Sequence, residues 1–249
     1  MAKYSSLFKV EGTLGEVNFY KSEDGYQMRT KGGVSKGRIS KDPAFARTRE
    51  NNEEFANSAT SGKMLRQAII DLLADAKDSK LASRLTKQMS IVKNADLVSP
   101  RGMRNVAEGI LTLEGKNALK GFDFNRLAIL SAVLLNDYVL DTVTGEIVMT
   151  GLIPANRLNF PEGATHVSFV SGFLNLDFGM DIKDLQLSNV VNLPINGTAT
   201  TVTLTPTGIP AGTGQQFYFL KVAFFQDING IQYPLKNGAF NALKLLDVL

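Results

Sequence analysis

Residues 217–235, FYFLKVAFFQDINGIQYPL, decide the fold class. Phe217–Phe225 is an almost unbroken apolar run of strand length, and Asn229-Gly230 turns it back into Ile231–Leu235. An Asn-Gly pair between two strand-like runs is the strongest short hairpin signal, because both turn positions need a positive φ that these residues tolerate. The surrounding sequence reads the same way. Thr201–Thr205 alternates threonine with Val202 and Leu204, and in THVSFVS (165–171) Val167 and Phe169 share one face while His166 and Ser168 share the other. Phe173–Phe178 continues beyond Gly172, and Tyr138–Leu140 and Ile147–Met149 flank a Thr144-Gly145 turn. Short strands punctuated by Gly, Pro and Asn predict an antiparallel, immunoglobulin-like β-sandwich over residues 110–249, without the Cys-Trp-Cys hallmark of antibody domains.

The first half follows a different period. Asp42-Pro43 reads as a helix N-cap with Pro at the first helical position, followed by Phe45, Arg49, Asn52, Phe55 and Ala59 at helical spacing. Ser61 reads as the cap of a second helix whose apolar face is Met64, Leu65, Ala68, Ile69, Leu72 and Leu73. A third spans Ser79–Lys93 with Leu81, Leu85, Met89 and Val92 inward, and Ser99-Pro100 opens a short fourth that ends near Gly109. Ahead of them, residues 5–30 read as a β-hairpin around the Lys21–Gly25 turn, and Lys31–Arg38 as an exposed glycine-rich arm. The expected class is α+β in three segments: a hairpin and extended arm (1–41), three to four short helices (42–109) and the sandwich (110–249). Narrow apolar stripes imply that the helices pack on the sandwich and form no separate core.

Charge divides the chain as sharply as pattern does. Residues 1–127 hold 22 Lys and Arg against 15 Asp and Glu, whereas residues 128–249 hold 5 against 9. Complementary fields at two ends of one molecule steer head-to-tail association of copies. Cysteine is absent, which excludes disulfides, thiolate metal sites and cysteine nucleophiles together. The N-terminal stretch has no apolar core of signal-peptide length, and no run of about 18 apolar residues occurs, so no membrane span is expected. The expected location is the cytoplasm, unless an unconventional route exports the chain.

Candidate chemistry is sparse. The one histidine, His166, lies in a strand near Ser168 and Ser171, without the context that activates a serine, and reads as a half-buried, hydrogen-bonded side chain. Ser61-Gly62-Lys63-Met64 resembles the end of a phosphate loop, but Asn57 stands where the first glycine belongs and Met64 replaces the magnesium-binding hydroxyl. Asp177, Asp181 and Asp184 lack the rest of a calcium loop and read as solvated strand ends. Asn196-Gly197-Thr198 reads as a turn. The basic series Lys31, Lys36, Arg38, Lys41, Arg47 and Arg49 could neutralise phosphates, but it lacks an aromatic stacking platform. No catalytic residue, cofactor, metal or small-molecule substrate is assigned.

Three blocks look alike elsewhere: Phe19–Tyr26 (FYKSEDGY), Asp42–Phe55 (DPAFARTRENNEEF) and Tyr233–Leu243 (YPLKNGAFNAL). They resemble a set of uncharacterised Bacteroidota proteins of similar length, most densely over residues 12–66. The resemblance implies a bacterial source and carries no residue role. The function expected from the residues is structural and non-enzymatic: self-assembly into a filament, tube or shell. Phe19, Tyr20, Tyr26, Lys36, Arg38 and Lys41 are the candidate interface and copies of the chain the partner. The alternatives are a monomeric ligand- or glycan-binding sandwich module, or a nucleic-acid-associated protein acting through the basic arm.

Overall fold

The computed structural model describes residues 2–3, 9–30, 32–76, 78–235 and 240–249. Residues 5–8 of the expected hairpin segment, Lys31 of the expected arm and residues 236–239 of the C-terminal block lie outside the described residues. The chain divides into two compact units, Met1–Arg49 and Glu50–Leu249.

In the N-terminal unit, β1 (Ala2–Lys3), β2 (Gly12–Leu14), β3 (Val17–Ser22) and β4 (Gly25–Thr30) form an antiparallel sheet in the order β1-β4-β3-β2. The expected hairpin is β3–β4. Ser22 stands opposite Gly25, and its hydroxyl donates to the Gly25 carbonyl. The expected extended arm is shorter than the sequence implied. Residues Lys36–Lys41 form α1, because Ser35 caps it by accepting the Arg38 N–H, and Arg38 reaches Asp42 one turn on at 3.2 Å. Asp42 then caps a single 3-10 turn, Pro43–Phe45, by accepting the Ala44 N–H, as the Asp-Pro pair suggested.

The second unit begins within α2 (Ala46–Ala68) and continues through α3 (Ile70–Leu73), α4 (Leu81–Asn94), α5 (Val106–Gly109), α6 (Leu113–Leu119) and α7 (Leu130–Val133). Then come β5 (Val139–Leu140), β6 (Ile147–Leu152), α8 (Pro154–Arg157), β7 (His166–Asp177), β8 (Ile182–Leu187), β9 (Val191–Pro194), β10 (Thr200–Leu204), β11 (Gln215–Ile228), β12 (Ile231–Pro234) and β13 (Ala242–Val248). The fold is mixed α+β with antiparallel sheets. The central pair of the larger sheet is β7–β11, with β8 and β9 on the far side of β7 and β12 and β13 on the far side of β11. The smaller sheet runs β10-β6-β5. Asn229 and Gly230, with φ of 55° and 82°, make the β11–β12 turn that the sequence announced.

Both faces of the large sheet are covered, which is why the middle of β7 and of β11 is mostly apolar and buried on successive residues. Val167, Phe169 and Phe173 of β7 share a core with Ile147, Met149 and Leu152 of β6 and with Val202 and Leu204 of β10. Leu174 and Leu176, with Phe217 and Phe219 of β11, turn the other way and share a core with Leu65, Leu85, Met89 and Val92 of the helices. The helices therefore pack on the sheet. Phe173 and Tyr218 stand directly opposite in register and stack at 4.6 Å, a pair that adds about 1 kcal/mol beyond its buried area.

Two helix starts differ from the sequence reading. Ser61 caps nothing: it lies inside α2 and is buried, as are Ser58 and Gly62. A Cβ on Gly62 would sit 3.6 Å from Leu85 Cγ and 3.7 Å from Met89 Cγ, so these small residues mark the place where α2 approaches α4. Ser99-Pro100 does not open a helix either. The Ser99 N–H is taken by Asp96, and α5 starts only at Asn105, whose side chain accepts the Glu108 N–H at 2.9 Å. The third helix, α4, buries the four residues expected of it.

Three carboxylates fix the helical layer. Burial alone would push Glu54, Asp78 and Asp96 up. Lys93 and the Gly102 N–H hold Glu54 down, the Arg126 N–H and Arg84 hold Asp78 down, and the Ser99 and Asn105 N–H groups hold Asp96 down. All three sit below their ordinary values. A carboxyl depressed by folding contributes stability above the unfolded-state value and loses it as pH falls through the folded one. The urea midpoint is thus expected to hold between about pH 8 and 5 and to fall steeply below about pH 4. Asp96→Asn should lower the midpoint at neutral pH and flatten that acid slope.

Candidate functional site

The pairs Leu14–Val17, Phe19–Met28 and Lys21–Tyr26 lie side by side in the N-terminal sheet, so Leu14, Val17, Phe19, Tyr26 and Met28 share one face. The opposite face carries Asn18 against Arg29 and Tyr20 against Gln27. Tyr20 donates to Gln27 at 3.0 Å and lies under the Arg29 guanidinium. The six residues expected at an interface are therefore not one patch. Phe19 and Tyr26 belong to the apolar face, Tyr20 to the polar one, and Lys36, Arg38 and Lys41 to α1.

Among the described residues of this unit none is buried, and Leu14 and Met28 are 71% and 36% exposed. An amphipathic sheet normally hides its apolar side. Here it is only partly hidden, with Leu14 and Met28 exposed, Val17, Phe19 and Tyr26 half-buried, and the Lys9 and Lys21 ammonium groups 5.8 and 6.0 Å from the Tyr26 ring centre. The unit carries ten Lys and Arg against five Asp and Glu. Part of that charge is already engaged: Arg38 pairs with Asp42 and covers the Phe45 ring, and Arg49 donates to the carbonyls of Ile39 and Asp42.

Within the second unit, His166 is half-buried, with Nδ1 3.0 Å from the Thr165 hydroxyl. Ser168 and Ser171 are buried, and Ser171 contributes its backbone N–H to the Ser188 hydroxyl. The three aspartates do separate jobs. Asp177 accepts the N–H groups of Gly179 and Met180, Asp181 holds a φ of 54° in the β7–β8 turn, and Asp184 accepts from Gln186 and the Ala211 N–H. Among the described residues searched, no three His, Asp or Glu side chains group closely enough to hold a metal. Asn196 accepts the Thr198 N–H in a turn.

Of the surface clefts of this unit that carry charge, two bear on binding. One, of about 550 Å³, is lined by Arg84, Lys87, Lys120 and Arg126 beside Phe122. Its field is mostly cancelled, since Arg84 pairs with Asp78, Lys120 with Asp247, and Asp123 lies in the wall. Burial pushes the Asp123 carboxyl up, although Lys244 stands 3.9 Å away.

The other cleft, of about 410 Å³, lies where α5 meets the β7–β8 turn. Ile110, Leu111, Phe178 and Met180 form its apolar lining, and Leu111 and Met180 are 59% and 72% exposed. Among the described residues Glu108 and Asp177 are the charged groups in its wall, and none is a cation. Sequence reasoning missed this cleft. Its only local sign was a methionine in a hairpin turn, Gly179-Met180-Asp181. Among the described residues no helix is long and apolar enough to cross a membrane. Set against known protein families, curated proteins and solved structures, the chain matches none.

Proposed function

We propose that this chain is a structural, non-enzymatic subunit that assembles with copies of itself through its N-terminal unit. One observation carries the reading: a four-stranded amphipathic sheet whose apolar face has no buried residue among those described. A unit of 49 residues with no buried side chain among those described has little buried surface to persist alone, and covering that face supplies more. The charge division supports a head-to-tail arrangement, in which one copy's N-terminal unit meets another copy's acidic half; such heterologous contacts build rings or open filaments. The nucleic-acid alternative is weakened because Arg38 and Arg49 are bonded within the unit.

The test is light scattering and electron microscopy of the untagged protein at low and high salt. Large regular particles are expected, and a monomer of the 27.1 kDa chain at every salt and concentration sinks the reading. Lys36→Glu with Lys41→Glu, which spares the Arg38–Asp42 pair, should weaken assembly strongly at about 0.01 M salt and little at about 1 M, where screening already blunts the attraction.

A further inference from the structure

The cleft beside the β7–β8 turn and the Tyr26 side of the N-terminal sheet are complementary in kind. The cleft has an apolar lining of Ile110, Leu111, Phe178 and Met180, with Glu108 and Asp177 in its wall. The sheet presents an aromatic ring with Phe19 and Met28 beside it and with Lys9 and Lys21 close to the ring. A volume of about 410 Å³ accommodates an aromatic side chain and its neighbours. Among the described residues neither Glu108 nor Asp177 is in an ion pair, and Asp177 uses one oxygen on the turn's own N–H groups. Glu108 projects from a short helix that Asn105 caps, so its carboxylate holds no part of the fold in place.

We infer that this cleft is the receiving site for the N-terminal sheet of a second copy. Tyr26 enters between Leu111 and Met180, and Lys9 and Lys21 stand opposite Glu108 and Asp177. The inference rests on the self-assembly reading and names the surface that the N-terminal unit covers. A second copy is the occupant that the charges select. Residues 1–49 carry the basic surplus, and the charged groups of the cleft wall among the described residues are the carboxylates Glu108 and Asp177; both belong to one sequence, so every copy brings both halves of the contact. A docking pair of opposite sign also gives a role to Lys21, which stands opposite Tyr26 at the turn end of the mainly apolar face.

The test is a charge exchange in the full chain, read by light scattering as the concentration at half-assembly. Glu108→Lys and Lys21→Glu are exposed substitutions and should leave the unfolding midpoint unchanged. Each alone juxtaposes like charges and should raise the half-assembly concentration about tenfold or more at low salt. Both together in one chain should restore most of the loss. If the parent chain assembles and Glu108→Lys does not alter it, the cleft assignment is wrong while self-assembly stands. Single losses that the exchange fails to restore also overturn it, since the two residues then do not face each other. A parent chain that never assembles removes the function reading and this inference with it.

Discussion

Removing residues 1–40 is expected to abolish assembly completely while leaving a folded, monodisperse monomer. Among the described residues the two apolar clusters that make the core draw on residues 64–248, so none of these core side chains is lost with the truncation. The cut also spares what starts the next helix. Asp42 remains to accept the Ala44 N–H, and Arg49 still reaches the Asp42 carbonyl. The shortened chain should unfold cooperatively with a urea midpoint close to that of the full chain. Scattering should give one monomeric mass at every concentration and salt. Particles that survive the truncation would place the interface elsewhere. A truncated chain that is soluble but unfolded would instead make the N-terminal sheet part of the subunit's own stability.

Much of the fold was legible because its signals are local. The Asn229-Gly230 turn, the Asp42-Pro43 start and the inward face Leu81, Leu85, Met89 and Val92 each depend on residues within a few positions of one another. Ser61 and Ser99 misled for a shared reason. A serine before a helical pattern is a cap only if its hydroxyl meets a free N–H, and that depends on what packs there. Ser61 is small because α2 runs close to α4, a contact between residues more than twenty positions apart. The three-layer arrangement was half visible: the apolar continuity of β7 and β11 fits strands buried on both faces, but periodicity alone does not say which side takes helices. The candidate surfaces divide the same way. The alternation of Phe19 and Tyr26 with polar residues is local and readable, whereas the cleft unites Leu111 with Met180 across the fold and leaves no pattern in either segment.

A large stability change is expected from one added methyl group at Gly109 or Gly115. A Cβ on Gly109 would run into the Val92 carbonyl of α4, and a Cβ on Gly115 into the Gly109 carbonyl of α5. In both cases the obstacle is backbone, which cannot rotate aside as a side chain does. Helices α4, α5 and α6 thus meet main chain to main chain, and an added methyl must push one helix off another. Val92 and Ile110, fully or almost fully buried at this junction, would lose contacts as it opens. Gly109→Ala and Gly115→Ala are each expected to destabilise by about 3 kcal/mol or more, the upper range for overpacking a tight core. Gly62→Ala supplies the internal control with the opposite sign. Its Cβ meets Leu85 and Met89 side chains at 3.6 and 3.7 Å, ordinary contact distances, in the middle of α2. Alanine there gains helix propensity of about 1 kcal/mol without a collision. Urea unfolding of the three variants decides the matter: the midpoint should fall sharply for positions 109 and 115 and rise slightly for 62. Equal losses at all three would mean that glycine flexibility, not backbone contact, governs this layer.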